Sequence, residues 1–118
     1  MRMRLAVAGL LIVSLSLPLA AQDVYRVSNQ ITAPKVTSSP QPEYTPEGLL
    51  RRIQGTVALE VDVLADGTVG TVALVKPLGF GLEESAAKTA KTWRFTPGTK
   101  DGKPVAVRIP IDIEFRLR

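Results

Sequence analysis

The carboxyl end of the chain reads VAVRIPIDIEFRLR, from Val105 to Arg118, and this stretch decides the fold. Every odd-numbered residue from Val105 to Leu117 is apolar, whereas five of the seven even-numbered residues from Ala106 to Arg118 are charged. Side chains that alternate with period two point to opposite faces of a β-strand. The stretch therefore predicts a long terminal strand with one buried face and one solvated face.

Pro110 lies in the middle of this strand. Proline has no N–H to donate to a ladder, so within sheets it is confined to edges and bulges. Backbone groups of odd-numbered and even-numbered residues point to opposite lateral sides of a strand. We therefore expect the odd-numbered residues to bond the neighbouring strand and the even-numbered side to be an open edge, which would carry Arg108, Pro110, Asp112 and Glu114.

The composition describes one small domain and excludes several kinds of function. The chain has 118 residues, a net charge of +4, and neither cysteine nor histidine, so thiol nucleophiles, histidine bases and zinc sites built from these residues are excluded. Glu60, Asp62 and Asp66 match no calcium loop, and Glu83 and Glu84 are typical of a helix start. Few aromatic residues and no basic cluster argue against nucleic-acid binding. We expect no catalysis, no metal or other cofactor, and no small-molecule substrate.

The first residues read as a targeting segment. The basic start MRMR is followed by the apolar run LAVAGLLIVSLSLPLA and by Ala20 and Ala21, which is the pattern of a secretory signal peptide over residues 1–21. Leu19 stands where a cleavage site has a small residue, so an uncleaved anchor is the alternative. Residues 22–39 are polar and lack sustained periodicity, which predicts a linker with at most short extended pieces. Residues 40–118 would form the domain.

The remaining elements follow from local signals. Thr45 and Pro46 begin a predicted helix of two to three turns, with Leu49, Leu50 and Ile53 on its buried side and Gly55 as a left-handed residue beyond its end. Alternating residues then predict a strand over TVALEVDVL, an Asp-Gly turn, and a second hairpin arm with a bulge, because the apolar parity changes between Val69 and Leu74.

A second helix is predicted in LEESAAKTAKTWRF, since Leu82, Ala86, Ala90 and Trp93 recur at helical spacing. Trp93 would anchor the core. Another Asp-Gly turn precedes the terminal strand. The order helix, strand, strand, helix, strand predicts an α+β fold, with two helices packed on one face of a small three-stranded antiparallel sheet.

Four stretches, in order, resemble the C-terminal domain of the TonB family: QPEYTPEG, IQGTVALEVDVLADGTV, LEESAAKTAKTWRFTPGTKDGKPV and VRIPIDIEFRL. The resemblance covers about residues 40–118 and implies the two-helix, three-stranded fold in the periplasm of a Gram-negative-type envelope. It also implies that an exposed sheet edge pairs with the Ton box peptide of outer-membrane receptors, which is β-augmentation in TonB-dependent transport.

The resemblance also indicates partner-binding residues. Gln41, Pro42 and Tyr44 match the family's Gln-Pro-x-Tyr segment, which lies near the bound peptide, although Tyr44 could equally pack on the helix as a structural lid. On the terminal strand, the implied binding residues are those of the predicted edge: Arg108, Pro110, Asp112 and Glu114.

The chain departs from energised members of the family, which keep a membrane helix with a Ser and His motif, because it has no histidine. The leading interpretation is a secreted periplasmic domain that binds extended segments of outer-membrane receptors or of another envelope protein. One alternative is a minimal energy transducer anchored in the inner membrane by residues 5–21. Another is a structural module that forms a homodimer through the terminal strand.

Overall fold

A computed structural model describes residues 23–118, so the predicted signal peptide lies outside the described residues. Within residues 23–118, no helix is both long enough and apolar enough to cross a membrane. The elements in chain order are β1 Val24–Arg26, β2 Ile31–Thr32, β3 Lys35–Ser38, α1 Pro46–Leu50, β4 Gly55–Val63, β5 Val69–Lys76, α2 Leu82–Ala90, β6 Arg94–Thr96, β7 Gly98–Lys100 and β8 Lys103–Phe115.

The long terminal strand β8 organises the larger, six-stranded sheet. β4 pairs with β8 antiparallel through nine successive residue pairs, from Gly55 opposite Phe115 to Val63 opposite Val107, and β5 pairs with the other side of β4. β7 forms a hairpin with the start of β8, β2 joins β7, and β1 pairs with β8 in parallel. β3 and β6 form a separate two-stranded sheet.

The mixed helix and sheet fold is confirmed, but the predicted three-stranded sheet is wrong. The expected strands are β4, β5 and β8, and residues 23–118 contain five further strands of two to four residues. Three of these lie in the segment that we expected to be a linker. Short extended pieces were expected in that segment, but strands this short show no periodicity of their own and their partners are distant in sequence, so local patterns do not reveal their pairing.

The register of β4 and β8 determines which backbone groups of β8 form hydrogen bonds with β4. Glu60 lies opposite Pro110 in an unbroken ladder, and Pro110 has no N–H, so this pair is a non-hydrogen-bonded one. The odd-numbered residues of β8 therefore bond β4, as the sequence predicts. β1 lies beside Ala106, Val107 and Arg108, where the odd-numbered side is already occupied by β4, so it bonds the even-numbered side.

The core lies between the odd-numbered face of this sheet and α2. The fully or almost fully buried side chains come from β4, β8 and α2: Val57, Leu59, Val61, Val63, Ile113, Phe115, Leu82, Ala86 and Ala90. Burial of each large aliphatic side chain contributes roughly 1.5 to 3 kcal/mol, so this layer dominates the stability of the domain. The predicted apolar face of the second helix is confirmed at its three helical positions.

A carboxylate from the first turn of α2 holds the loop that precedes the helix. Glu83 Oε1 accepts hydrogen bonds from the backbone N–H groups of Leu78, at 3.3 Å, and Gly79, at 2.7 Å. These bonds, chiefly that from Gly79, lower the pKa of Glu83 because they favour its ionised form. The helix ends at Ala90, earlier than predicted, so Trp93 lies in the turn beyond it.

The short helix α1 differs from its prediction. It has five residues, and it buries Gly48 against Leu82 of α2, whereas Leu49 and Leu50 are 53% and 82% exposed. The left-handed residue at its end is Arg52, with φ of 54°, in place of the predicted Gly55. Hydrogen bonds from Ile53 N to Gly48 O and from Arg52 N to Leu49 O form a Schellman motif around it.

The turn between β4 and β5 is hydrogen-bonded to β6. Gly67 has φ of 87°, as the predicted Asp-Gly turn requires, and its carbonyl accepts a hydrogen bond from Phe95 N at 2.9 Å. Asp66 Oδ1 accepts from Thr68 N and Oγ1, which lowers the pKa of Asp66. The predicted bulge is confirmed by a register shift between Val61 and Val63. The hairpin tip is thus fixed to β6.

Candidate functional site

The candidate site is the even-numbered edge of β8 beyond Arg108. Within residues 23–118, no strand pairs with this side of β8 from Pro110 to Glu114. By register, the N–H and C=O of Asp112 and of Glu114 and the C=O of Pro110 point outward. Such unpaired backbone groups are a ready template for another strand. The open edge is shorter than the sequence predicts, because β1 occupies it at Ala106–Arg108.

A cleft runs along this edge between β8 and the segment Ser39–Tyr44. It consists of two adjoining cavities of about 410 and 280 Å³, and both are lined by Gln41, Pro42 and Glu114. The first cavity also contacts Tyr44 and the end of the chain from Phe115 to Arg118. The second also contacts Trp93 and Asp112. The cleft therefore places side chains from two separate segments beside the unpaired backbone of β8.

Side-chain contacts hold the segment Ser39–Tyr44 in place. Trp93 Nε1 donates a hydrogen bond to the carbonyl of Pro40 at 3.2 Å, and Ser85 Oγ donates to the carbonyl of Glu43. Tyr44 Oη donates to the carbonyl of Ile53 at 2.7 Å. These bonds to backbone carbonyls give the far wall of the cleft a fixed position.

Tyr44 packs as a structural lid and also borders the cleft. Its ring packs edge-on against Phe115 with 5.4 Å between ring centroids, and its hydroxyl is bonded to Ile53, so it acts as a lid on the end of the core. It also lines the larger cavity of the cleft. A partner in the cleft would therefore contact a side chain whose orientation is already fixed.

The two carboxylates of the cleft differ in whether they form an ion pair. Arg116 Nε and Nη2 donate to the carboxylate of Glu114 at 3.1 and 3.4 Å, and this pair lowers the pKa of Glu114. Asp112 is exposed, and within residues 23–118 no cationic side chain forms an ion pair with it. Asp112 is thus the carboxylate of the cleft that can accept a cation from a partner.

The structure brings together five of the seven sequence-predicted site residues, since Gln41, Pro42, Tyr44, Asp112 and Glu114 line the cleft. Pro110 lies on the open edge but does not line either cavity. Arg108 is elsewhere: its Nε and Nη2 donate to Asp62 at 2.6 and 3.0 Å, and Asp62 is buried. That pair raises the pKa of Arg108, which stays cationic.

Two aromatic residues of the cleft were missed because the sequence indicated only the core for them. Trp93 is half-buried, and its ring lines the cleft while its indole N–H fixes Pro40. Phe115 is buried and forms the floor beneath Tyr44. Trp93 lies three residues beyond Ala90, the last residue of the helix. This place outside the helix is the signal that could have indicated a role in the cleft.

Comparison with known proteins identifies the family. The family described as Gram-negative bacterial TonB protein C-terminal matches residues 40–117, which is more than half of the chain. The chain belongs to this family. The match includes residues 40–44 of the far wall and the whole of β8, so nearly all of the candidate site lies within the TonB C-terminal region.

Several curated TonB proteins are similar in sequence. Protein TonB of Vibrio cholerae is 39% identical over 83 residues, which are 70% of this chain and 34% of that protein. Protein tonB2 of Pseudomonas aeruginosa is 34% identical over 80 residues, 67% of this chain and 30% of that protein. Protein TonB of Escherichia coli is 32% identical over 84 residues, 70% and 35% respectively. The chain thus spans about a third of the length of these relatives.

A solved TonB structure shares the fold. The solution NMR structure of the Pseudomonas aeruginosa TonB CTD superimposes with a TM-score of 0.53 at 20% identity, over 77% of this chain and 92% of that one. The chain therefore shares the TonB C-terminal fold, in which helices and sheet are mixed.

Proposed function

We propose that this TonB C-terminal domain binds an extended peptide segment, of the Ton box type, by adding it as a strand to the open edge of β8. The observation that carries the proposal is the outward-facing backbone of Asp112 and Glu114, which borders a preformed cleft. In β-augmentation the backbone hydrogen bonds supply affinity and the side-chain contacts supply selectivity. The domain acts as a binding module and performs no catalysis.

The geometry favours a short segment of particular chemistry. Pro110, Asp112 and Glu114 offer five outward backbone groups, three C=O and two N–H, so a docked strand of about five residues would satisfy them. Trp93, Pro42 and Tyr44 offer apolar contacts along the cleft. Asp112, which forms no ion pair among the described residues, favours a segment with a basic side chain opposite it.

Membership of the family supports a proposal for the partner and the location. We propose that the segment belongs to outer-membrane receptors or to another envelope protein, and that the domain lies in the periplasm and serves TonB-dependent transport. Residues 1–21 would act as a cleaved signal peptide, with retention as an inner-membrane anchor as the alternative. Mass spectrometry of the protein isolated from cells distinguishes these two: a chain that begins at Gln22 excludes the anchor, and an intact start supports it.

Titration calorimetry with synthetic Ton box peptides, taken from the receptors of the organism that encodes this chain, tests the proposal. We expect Asp112→Pro to weaken binding at least tenfold, because it removes an outward N–H from the edge. Asp112→Ala is the matched control, since it removes the carboxylate and keeps the N–H, and it should retain binding of a peptide without basic residues. Binding of such a peptide that is equal in all three proteins would contradict strand addition at this edge.

A further inference from the structure

The lateral side of β8 that is open from Pro110 to Glu114 continues to Ala106–Arg108, where β1 pairs with it. Ala106 and Arg108 face the same lateral side as Pro110, Asp112 and Glu114, and β1 is the strand that covers them. By register, the backbone of Tyr25 bonds Ala106 and Arg108, whereas Val24 points its N–H away from β8. The edge available to a partner strand would therefore be almost twice as long if β1 were absent.

β1 is attached by few contacts. It pairs with β8 over three residues, two of which are exposed. Arg26 Nη1 and Glu60 Oε2 are 3.0 Å apart, but their side chains are 66% and 30% exposed, and ion pairs in such positions are strongly screened. The Lys100 ammonium lies 4.9 Å from the centroid of the half-buried Tyr25 ring, which is a single cation–π contact. No residue of β1 belongs to the buried layer between β4, β8 and α2.

The side chains of β1 show what its site on β8 recognises. Glu60 lies on the polar face of β4 and is paired with the one cation that β1 supplies, Arg26. The neighbouring carboxylate, Asp62, is already neutralised by Arg108. When β1 leaves, Glu60 loses its partner and favours a basic side chain at the same position of any incoming strand. The preceding position is suited to an aromatic ring, because Lys100 borders it.

We propose that Ala106–Arg108 is a second, covered part of the binding edge, that β1 is a displaceable internal strand, and that the strand that replaces it carries a basic residue for Glu60. This inference rests on the proposed docking of a strand along β8. It adds that a segment longer than about five residues must displace β1, and that β1 itself resembles the preferred ligand of this part of the edge.

The test uses the full chain and a fluorescein-labelled peptide with the sequence of residues 23–30, DVYRVSNQ. Tyr25→Pro removes the N–H that bonds β8 and releases β1, whereas Val24→Pro is the matched control, because the Val24 N–H faces away. By fluorescence polarisation, we expect Tyr25→Pro to bind the peptide at least tenfold more tightly than the unmodified chain and Val24→Pro. Equal affinity in all three proteins overturns the proposal.

The chemistry of the covered site is tested with the same assay. A second peptide with Arg26→Glu should bind Tyr25→Pro at least tenfold more weakly, and adding Glu60→Gln to Tyr25→Pro should remove this preference. A preference for the basic peptide that survives Glu60→Gln would show that another group recognises it. Because the probe is the chain's own β1, failure here is distinguishable from failure of the Ton box peptides at Asp112 and Glu114.

Amide exchange measured by NMR provides a second readout that does not depend on peptide affinity. The Arg108 N–H should exchange faster in Tyr25→Pro than in Val24→Pro, and an excess of the unlabelled peptide should restore its protection. Unchanged exchange at Arg108 in Tyr25→Pro would show that β1 is not what covers this edge. The exchange of core amides, such as that of Leu59, reports whether both variants remain folded.

Discussion

Proline substitutions at two adjacent residues of β8 should lower the free energy of unfolding by very different amounts. The Ile111 N–H bonds β4 opposite Leu59, whereas the Asp112 N–H faces the open edge. Ile111→Pro removes one ladder hydrogen bond, worth about 1 kcal/mol, leaves a buried carbonyl of β4 without its donor at about 1 to 3 kcal/mol, and places the proline ring against β4. Asp112→Pro removes no ladder bond, so its cost should stay near 1 kcal/mol.

Urea unfolding followed by the fluorescence of Trp93, the single tryptophan, measures both variants. Ile111 is also half-buried, so Ile111→Ala is the control for its lost side-chain packing. We expect Ile111→Pro to lose at least about 2 kcal/mol of unfolding free energy beyond Ile111→Ala. Equal losses in Ile111→Pro and Asp112→Pro would refute the assigned lateral direction of β8, and with it the open edge.

Three further substitutions test local features. Arg52→Gly should raise the unfolding free energy by roughly 0.5 to 1 kcal/mol, because Arg52 holds a left-handed conformation, while Arg52→Ala should give no gain in the same urea titration. Gly67→Ala should lower the melting temperature and cost about 2 to 4 kcal/mol, since the added methyl would lie 2.1 Å from the carbonyl oxygen of Phe95. Glu83 has a lowered pKa in the folded state, so its contribution to stability is present above the unfolded pKa of about 4.3 and is lost as the pH falls through the folded value. Glu83→Gln should therefore flatten the acid side of a stability-against-pH curve, and an unchanged slope would contradict its role in holding the loop before α2.

The elements that the sequence predicts correctly are those whose causes are local. Pro110 alone fixes the lateral direction of β8, because a missing donor has only one compatible place in an unbroken ladder. The Asp101-Gly102 turn has φ of 52° and 78°, as a two-residue hairpin requires. The apolar spacing of α2 likewise identifies its buried face without reference to the rest of the chain.

The failures come from contacts between segments far apart in sequence. Leu49 and Leu50 were expected to be buried, but α1 approaches α2 through Gly48, whose missing side chain makes room for Leu82. A helix of five residues shows no periodicity that could indicate this. Trp93 packs partly buried against the core, as expected, but its indole N–H also bonds the carbonyl of Pro40, a contact that the sequence did not indicate.

The candidate site was predictable in part. Residues of β8 could be placed on an edge by parity, and the Gln-Pro-x-Tyr segment could be placed beside it by resemblance to the TonB family. The distance between the two walls could not be read from the sequence, because it depends on the bonds from Trp93 and Tyr44 to backbone carbonyls. The pairing of β1 with Ala106–Arg108 could not be read from the sequence either, because β1 has only three residues and its partner lies some eighty residues away.

The placement of β1 on β8 also determines how the domain would respond to a pulling force. The chain enters the domain through β1, and β1 and the open edge lie on one line along the same side of β8. Tension between the residues before Val24 and a strand docked at Asp112 and Glu114 would run parallel to β8 and load the edge hydrogen bonds in shear. β1 forms only three residue pairs with β8, whereas β4 forms nine. Under tension, β1 would therefore separate from β8 first, and the core would remain folded.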